Sequence, residues 1–253
     1  MMRITAEIHL DPLLAPLAGN DQGHPVGIPL EETGDYLTLD AEMMKVGSLQ
    51  HANVAWETAE TLAIRMLSER GKDLKVLGHL LHCLQHDGNG VRFALSLRLL
   101  TRALEQPWWE HAYPFNGPRG AKLRPRLFQQ FTQRSVKFAS GLDFHNAEDE
   151  FEACQSALTE LQTRVKQRSL PGDALNELSR QLIAQRPSQS SPTSNSHHST
   201  QQGARNEIEQ SPNAEQAPSA HGSAQAPAKA PELRLEAGNE RSNRQALLKM
   251  ADF

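Results

Sequence analysis

Three histidines, His79, His82 and His86, recur at i, i+3 and i+7, with Asp87 just beyond. On a helix this spacing gathers the imidazoles on one face, and histidines so placed can bind zinc. The leucines of the same segment point roughly the other way, so a solvated polar face is the simpler expectation. A single helix also supplies too few donors for a closed tetrahedral site, and no metal or other cofactor is assigned. Cys83 adjoins His82 in sequence, but neighbouring helix residues diverge by about 100° and cannot form a nucleophile–base pair. His197 and His198 lack the rigid frame that a catalytic triad needs. The Gly117–Lys122 run lacks the Gly-Lys-Ser/Thr ending of a phosphate loop. No catalytic residue is assigned, and the chain is read as non-enzymatic.

Charge is more informative than nucleophiles. From Phe115 to Ser140 stand six basic residues (Arg119, Lys122, Arg124, Arg126, Arg134, Lys137) and no acid. From Gly141 to Glu160 stand six acids and no lysine or arginine. One reading pairs two antiparallel helices across these opposite charges, which stabilises little because exposed pairs contribute about 0–1 kcal/mol each. The other makes Arg119, Lys122, Arg124 and Arg126 a docking surface for an acidic partner. Nucleic-acid binding has no support from aromatic–basic interleaving or a helix-turn-helix pattern, and the net charge of −4 gives no general pull toward it. Trp56, Trp108 and Trp109 can each bury about 150–250 Å². All three suit a core, although Trp109 could face outward as an interface anchor.

The elements that must position these groups are helical. Over 52–70 apolar residues fall at Ala59, Leu62, Ala63, Met66 and Leu67, the stripe of one helix face. Gly71 is expected to close that helix in a left-handed conformation. Asp73 is expected to cap the next, with Leu74, Leu77, Leu81 and Leu84 on one side and Lys72 solvated. Further helices are expected over 91–105, about 122–140, a segment capped by Asn146, and about 173–185. Glu148, Asp149 and Glu150 suit the first turn of the penultimate helix. Alternation of the strand type is nearly absent, which predicts an all-α bundle.

Hydrophobic residues make up 38% and aromatics 5% of the 253 residues, too little for a chain folded throughout. The deficit concentrates in 187–231, rich in Ser, Gln, Pro and Ala, with Ile208 its one β-branched aliphatic. Such a segment cannot offset an ordering entropy of about 1–2 kcal/mol per residue. The expected division is a helical domain over 1–186, a flexible linker over 187–240, and an amphipathic helix over 241–253 that opens a second, incomplete domain. Cys83 and Cys154 suit buried reduced thiols. No stretch approaches the ~20 apolar residues of a membrane span, and no secretory leader is evident. The expected address is the cytoplasm.

In order along the chain come Pro25-Val26-Gly27, Tyr36, Val54-Ala55-Trp56-Glu57, Gly71-Lys72-Asp73-Leu74-Lys75-Val76, Trp108-Trp109 and Tyr113-Pro114. This series resembles the amino-terminal domain of the TssA/ImpA family of type VI secretion, over roughly 11–140. Gly90-Val91 replaces the family's Gly-Leu step, and a tryptophan pair replaces its single tryptophan. Arg244-Gln245-Ala246-Leu247 is similar to the opening of the VasJ-like region of that family. The resemblance implies a cytoplasmic scaffold that contacts baseplate, tube or sheath proteins during tail assembly. It also implies homo-oligomers built by a carboxy-terminal region that this chain lacks. A generic helical adaptor outside secretion is the alternative.

Overall fold

The computed structural model describes residues 3–114 and 118–186. Eight α-helices and no strand occur among them. They are α1 (Asp11–Leu14), α2 (Gly34–Met44), α3 (Trp56–Glu69), α4 (Leu74–Gln85), α5 (Gly90–Glu105), α6 (Pro118–Ala139), α7 (Glu148–Gln167) and α8 (Asp173–Ala184). The expected linker over 187–240 and the helix over 241–253 lie outside the described residues.

Local chemistry sets most of the boundaries. Thr33 caps α2 by accepting from the Tyr36 amide, and Asn89 caps α5 by accepting from the Arg92 amide. The Asp73 carboxylate accepts from the Lys75 and Val76 amides and starts α4. Glu148, Asp149 and Glu150 occupy the first turn of α7, where the helix dipole favours negative charge. Two expected boundary devices differ. Asn146 adopts φ 60° and gives α7 no side-chain cap. The left-handed glycine near the end of α3 is not Gly71 but Gly27, at φ 69°, which approaches from another part of the chain.

The centre of the bundle is α4. It is flanked by α3, α5 and α6, while α7 lies along α5 and α8 closes against α6 and α7. A helix enclosed this way must be apolar nearly all round, and ten of its twelve residues are buried, His82 among them. The expectation of a solvated histidine face therefore fails at His82: the side opposite the leucines is covered by other elements. At Gly78 the bundle is tight enough that an added Cβ would fall 2.4 Å from the Phe131 ring of α6. The basic and acidic stretches do not pair as two antiparallel helices, because α6 packs along α4 and α8 and α7 along α5.

Several polar groups are built into this interior. Arg92 and Glu60 are both buried and paired at 2.9 Å. Arg92 also donates to the Ile4 and Cys83 carbonyls, and Glu60 accepts from the Ile4 amide, which fixes the amino-terminal segment on α3 and α5. The Gln85 amide donates to Ser96 Oγ at 2.8 Å and to Ser135 Oγ at 2.9 Å, joining α4 to α5 and α6. Cys83 and Cys154 are buried free thiols, and burial pushes both up to about 12.

Candidate functional site

Three of the motif segments, around Gly27, Lys72 and Tyr113, meet at one crossing. The Ile28 amide donates to the Arg70 carbonyl at 2.9 Å, and the Lys72 amide to the Val26 carbonyl at 2.8 Å. From the other side the Tyr113 amide donates to the Lys72 carbonyl, and the Leu74 amide to the Tyr113 carbonyl at 2.7 Å. The Tyr113 hydroxyl donates to the Gly27 carbonyl at 3.3 Å. Gly27 and Gly71 face each other across a single bridge. A Cβ on Gly27 would stand 2.1 Å from the Arg70 carbonyl oxygen, and one on Gly71 would stand 2.2 Å from that of Ile28. Only glycine permits such an approach.

Lys72 lies under this crossing rather than in solvent, and that corrects the expectation from sequence. It is 0% exposed. Its ammonium donates to the Leu13 and Leu67 carbonyls, both at 2.7 Å, at the ends of α1 and α3. Those carbonyls are among the last of their helices and carry partial negative charge, so they suit a cation. The ammonium also sits 5.6 Å from the centre of the Trp108 ring. The Trp108 indole N–H donates to the Leu14 carbonyl. Burial pulls the lysine pKa down to about 8. It joins α1, α3 and the Trp108 segment.

Residues 16–133 match the family model described as ImpA, N-terminal, type VI secretion system. They form an ImpA amino-terminal region. The fold agrees with a solved structure from Burkholderia cenocepacia, the N-terminal domain including the conserved ImpA_N region of the TssA component of the type VI secretion system. The TM-score is 0.56 at 13% identity, over 74% of this chain and 100% of that one. A search of curated proteins returns no match. The matched region contains Gly27, Gly71, Lys72 and Tyr113, the residues that form the crossing.

The candidate contact residues divide. Arg119, Lys122 and Arg126 are exposed on the first half of α6, whereas Arg124 is buried and reaches Glu110 at 3.3 Å. Glu110 is shared with Arg168, at 2.7 Å, which ties the Trp108–Trp109 segment to the end of α7. Trp109 is 2% exposed and belongs to the core, which removes it as an outward anchor. Of the five candidates, three cations are exposed, and Arg124 and Trp109 are buried. In α6 every third or fourth residue is apolar, and Arg124 occupies one such inward position.

His82 and His86 form part of an aromatic layer. Trp56 stacks on His86 with centroids 3.8 Å apart, and His82 lies between Trp56 and the Phe138 ring. His79 approaches Asp40 at 3.9 Å. Burial lowers the His79 pKa to about 4 and that of His82 to about 3, so both are neutral at physiological pH. Among the described residues no group of three or more His, Cys, Asp or Glu side chains is placed to hold a metal ion. No helix among them is long and apolar enough to cross a membrane.

One feature escaped the sequence altogether. A groove of about 870 Å³ crosses the second half of α6, walled by the 46–51 loop and by the start of α8. Its floor includes His82, Val136 and Phe138. The half-buried apolar residues late in α6 were the available signal, but their meaning depends on which neighbours stop short of them.

Proposed function

We propose that this chain is a non-enzymatic component of type VI secretion. On this reading the helical domain over 1–186 acts in the cytoplasm and presents a surface to baseplate, tube or sheath proteins during tail assembly. The supporting observation is the ImpA region itself, in which Gly27, Gly71, Lys72 and Tyr113 hold backbone segments to one another. The contact face is the exposed first half of α6, with Arg119, Lys122 and Arg126 directed at an acidic partner. Rim charges of this kind steer association and discriminate between partners more than they add affinity.

The test is capture of purified sheath, tube and baseplate proteins by the immobilised 253-residue chain. At least one of them is retained, and Arg119→Glu with Lys122→Glu and Arg126→Glu reduces retention severalfold. Retention indifferent to the triple reversal removes the basic face. Retention of no tail component removes the secretion role.

A further inference from the structure

The groove on α6 lies beside an equally unusual projection. On α2 the outer face exposes Leu37 and Met44, at 59% and 75%, with Ala41 between them at helical spacing. Beyond the helix Leu49 is 106% exposed, at the tip of the 46–51 loop. That loop is also a wall of the groove, through Val46, Gly47 and His51. An apolar projection and an apolar hollow thus share one short stretch of chain. Scattered exposed apolar side chains need no explanation, but a contiguous group beside a hollow marks an interaction surface.

The charges around the hollow indicate what fits it. Lys137 and Arg134 border it from α6, while Asp173 and Glu177 border it from α8. A partner of one sign would meet repulsion at one edge. A second copy of this chain, related by a two-fold axis, carries both signs in the reverse order and places its own projection opposite the hollow. Two-fold contacts use the same patch on both subunits, so projection and hollow must lie together on one surface, as they do here.

We propose that two copies of this chain associate through this surface, Leu49 and Met44 of each entering the α6 groove of the other and Lys137 of each facing Asp173 of the other. The surface is separate from the basic face assigned to a tail component, which occupies the other half of α6. The two readings therefore stand or fall independently.

Sedimentation equilibrium of the 253-residue chain, from roughly one to several hundred micromolar, tests the proposal. A monomer–dimer equilibrium in the micromolar range is expected, as interfaces of modest quality give. Leu49→Asp, at a fully exposed position, raises the dissociation constant at least about tenfold with unchanged Tm. Lys137→Glu alone weakens the dimer, and adding Asp173→Lys restores it to within about twofold. A chain monomeric throughout overturns the proposal, as does a dimer indifferent to Leu49→Asp. A charge pair that fails to restore association overturns the two-fold arrangement.

Discussion

The front of the molecule, residues 3–114, and the rear, residues 118–186, are held by different means. The front carries the buried charges Glu60, Lys72 and Arg92, which reach across long stretches of chain to backbone carbonyls and amides, and buried Asp73, which caps α4 locally. The rear has one buried charged side chain, Arg124, and otherwise closes α6, α7 and α8 over Phe128, Phe151, Leu158, Leu161, Leu175 and Leu178. An apolar seam tolerates small adjustments, whereas a buried ion without its partners exposes a heavy desolvation penalty. The front therefore has few alternative packings, and there the segments 15–33 and 106–114 are held in place with only one short 3-10 helix, Pro107–His111, between them.

The difference can be broken most severely at the front. Gly71→Ala sets a methyl 2.2 Å from the Ile28 carbonyl oxygen, which is backbone and cannot swing aside, with the Leu30 side chain also close. The expected loss exceeds about 4 kcal/mol in urea unfolding. In the rear, Leu178→Ala should cost about 2–5 kcal/mol through the cavity it leaves. All three tryptophans lie in the front. Coincident transitions by tryptophan fluorescence and far-UV circular dichroism in that variant would show one cooperative unit, and separated transitions two.

Lys72→Met keeps the length of the side chain but leaves the Leu13 and Leu67 carbonyls without their donor, at an expected cost of about 2–3 kcal/mol. It should also remove a pH dependence. With a folded pKa of about 8 against the ordinary 10.5, Lys72 binds its proton less tightly in the folded chain. Its contribution to stability therefore rises with pH above 8. The buried thiols oppose this above pH 9, where cysteines ionise in the unfolded chain but not in the folded one. The wild-type minus variant difference between pH 8 and 9 isolates the lysine.

A smaller effect appears in acid. His79 and His82 titrate near 6.5 when unfolded but only at about 4 and about 3 when folded. Stability is then lost as pH falls below 6.5, by up to about 1.4 kcal/mol per pH unit for each group. His82→Gln should flatten the curve between pH 6.5 and 5, while Leu178→Ala should leave its shape unchanged. Smallest of all, reversing Arg119, Lys122 and Arg126 singly should move stability by less than about 0.5 kcal/mol, as measured by Tm.

This contrast also separates what could be read from sequence from what could not. The helices were legible because apolar spacing and caps such as Asp73 act within a few residues. The ImpA motifs were legible as a series because their order survives in the chain. The place of Lys72 was not legible, since its acceptor at Leu13 lies 59 residues away and nothing beside the lysine distinguishes it from a solvated one. The face shared by the three histidines followed from spacing, but its burial depends on Trp56 and Phe138, from two other helices. Arg124 and Trp109 were misplaced for the same reason: helical phase fixes relative direction, and only the packed neighbours fix which direction is inward.

The Gln85 amide uses both of its hydrogens on hydroxyls from two neighbouring helices. Apolar ridges alone would permit α4 to move along its companions by a turn, about 5.4 Å, with leucine replacing leucine. After such a displacement neither Ser96 nor Ser135 would stand opposite the amide: each hydroxyl would keep its bond to a carbonyl of its own helix, but the two amide hydrogens of Gln85 would be stranded in hydrocarbon. The glutamine thus works as a notch in a slide rule, admitting one setting of three helices that would otherwise read nearly the same at several.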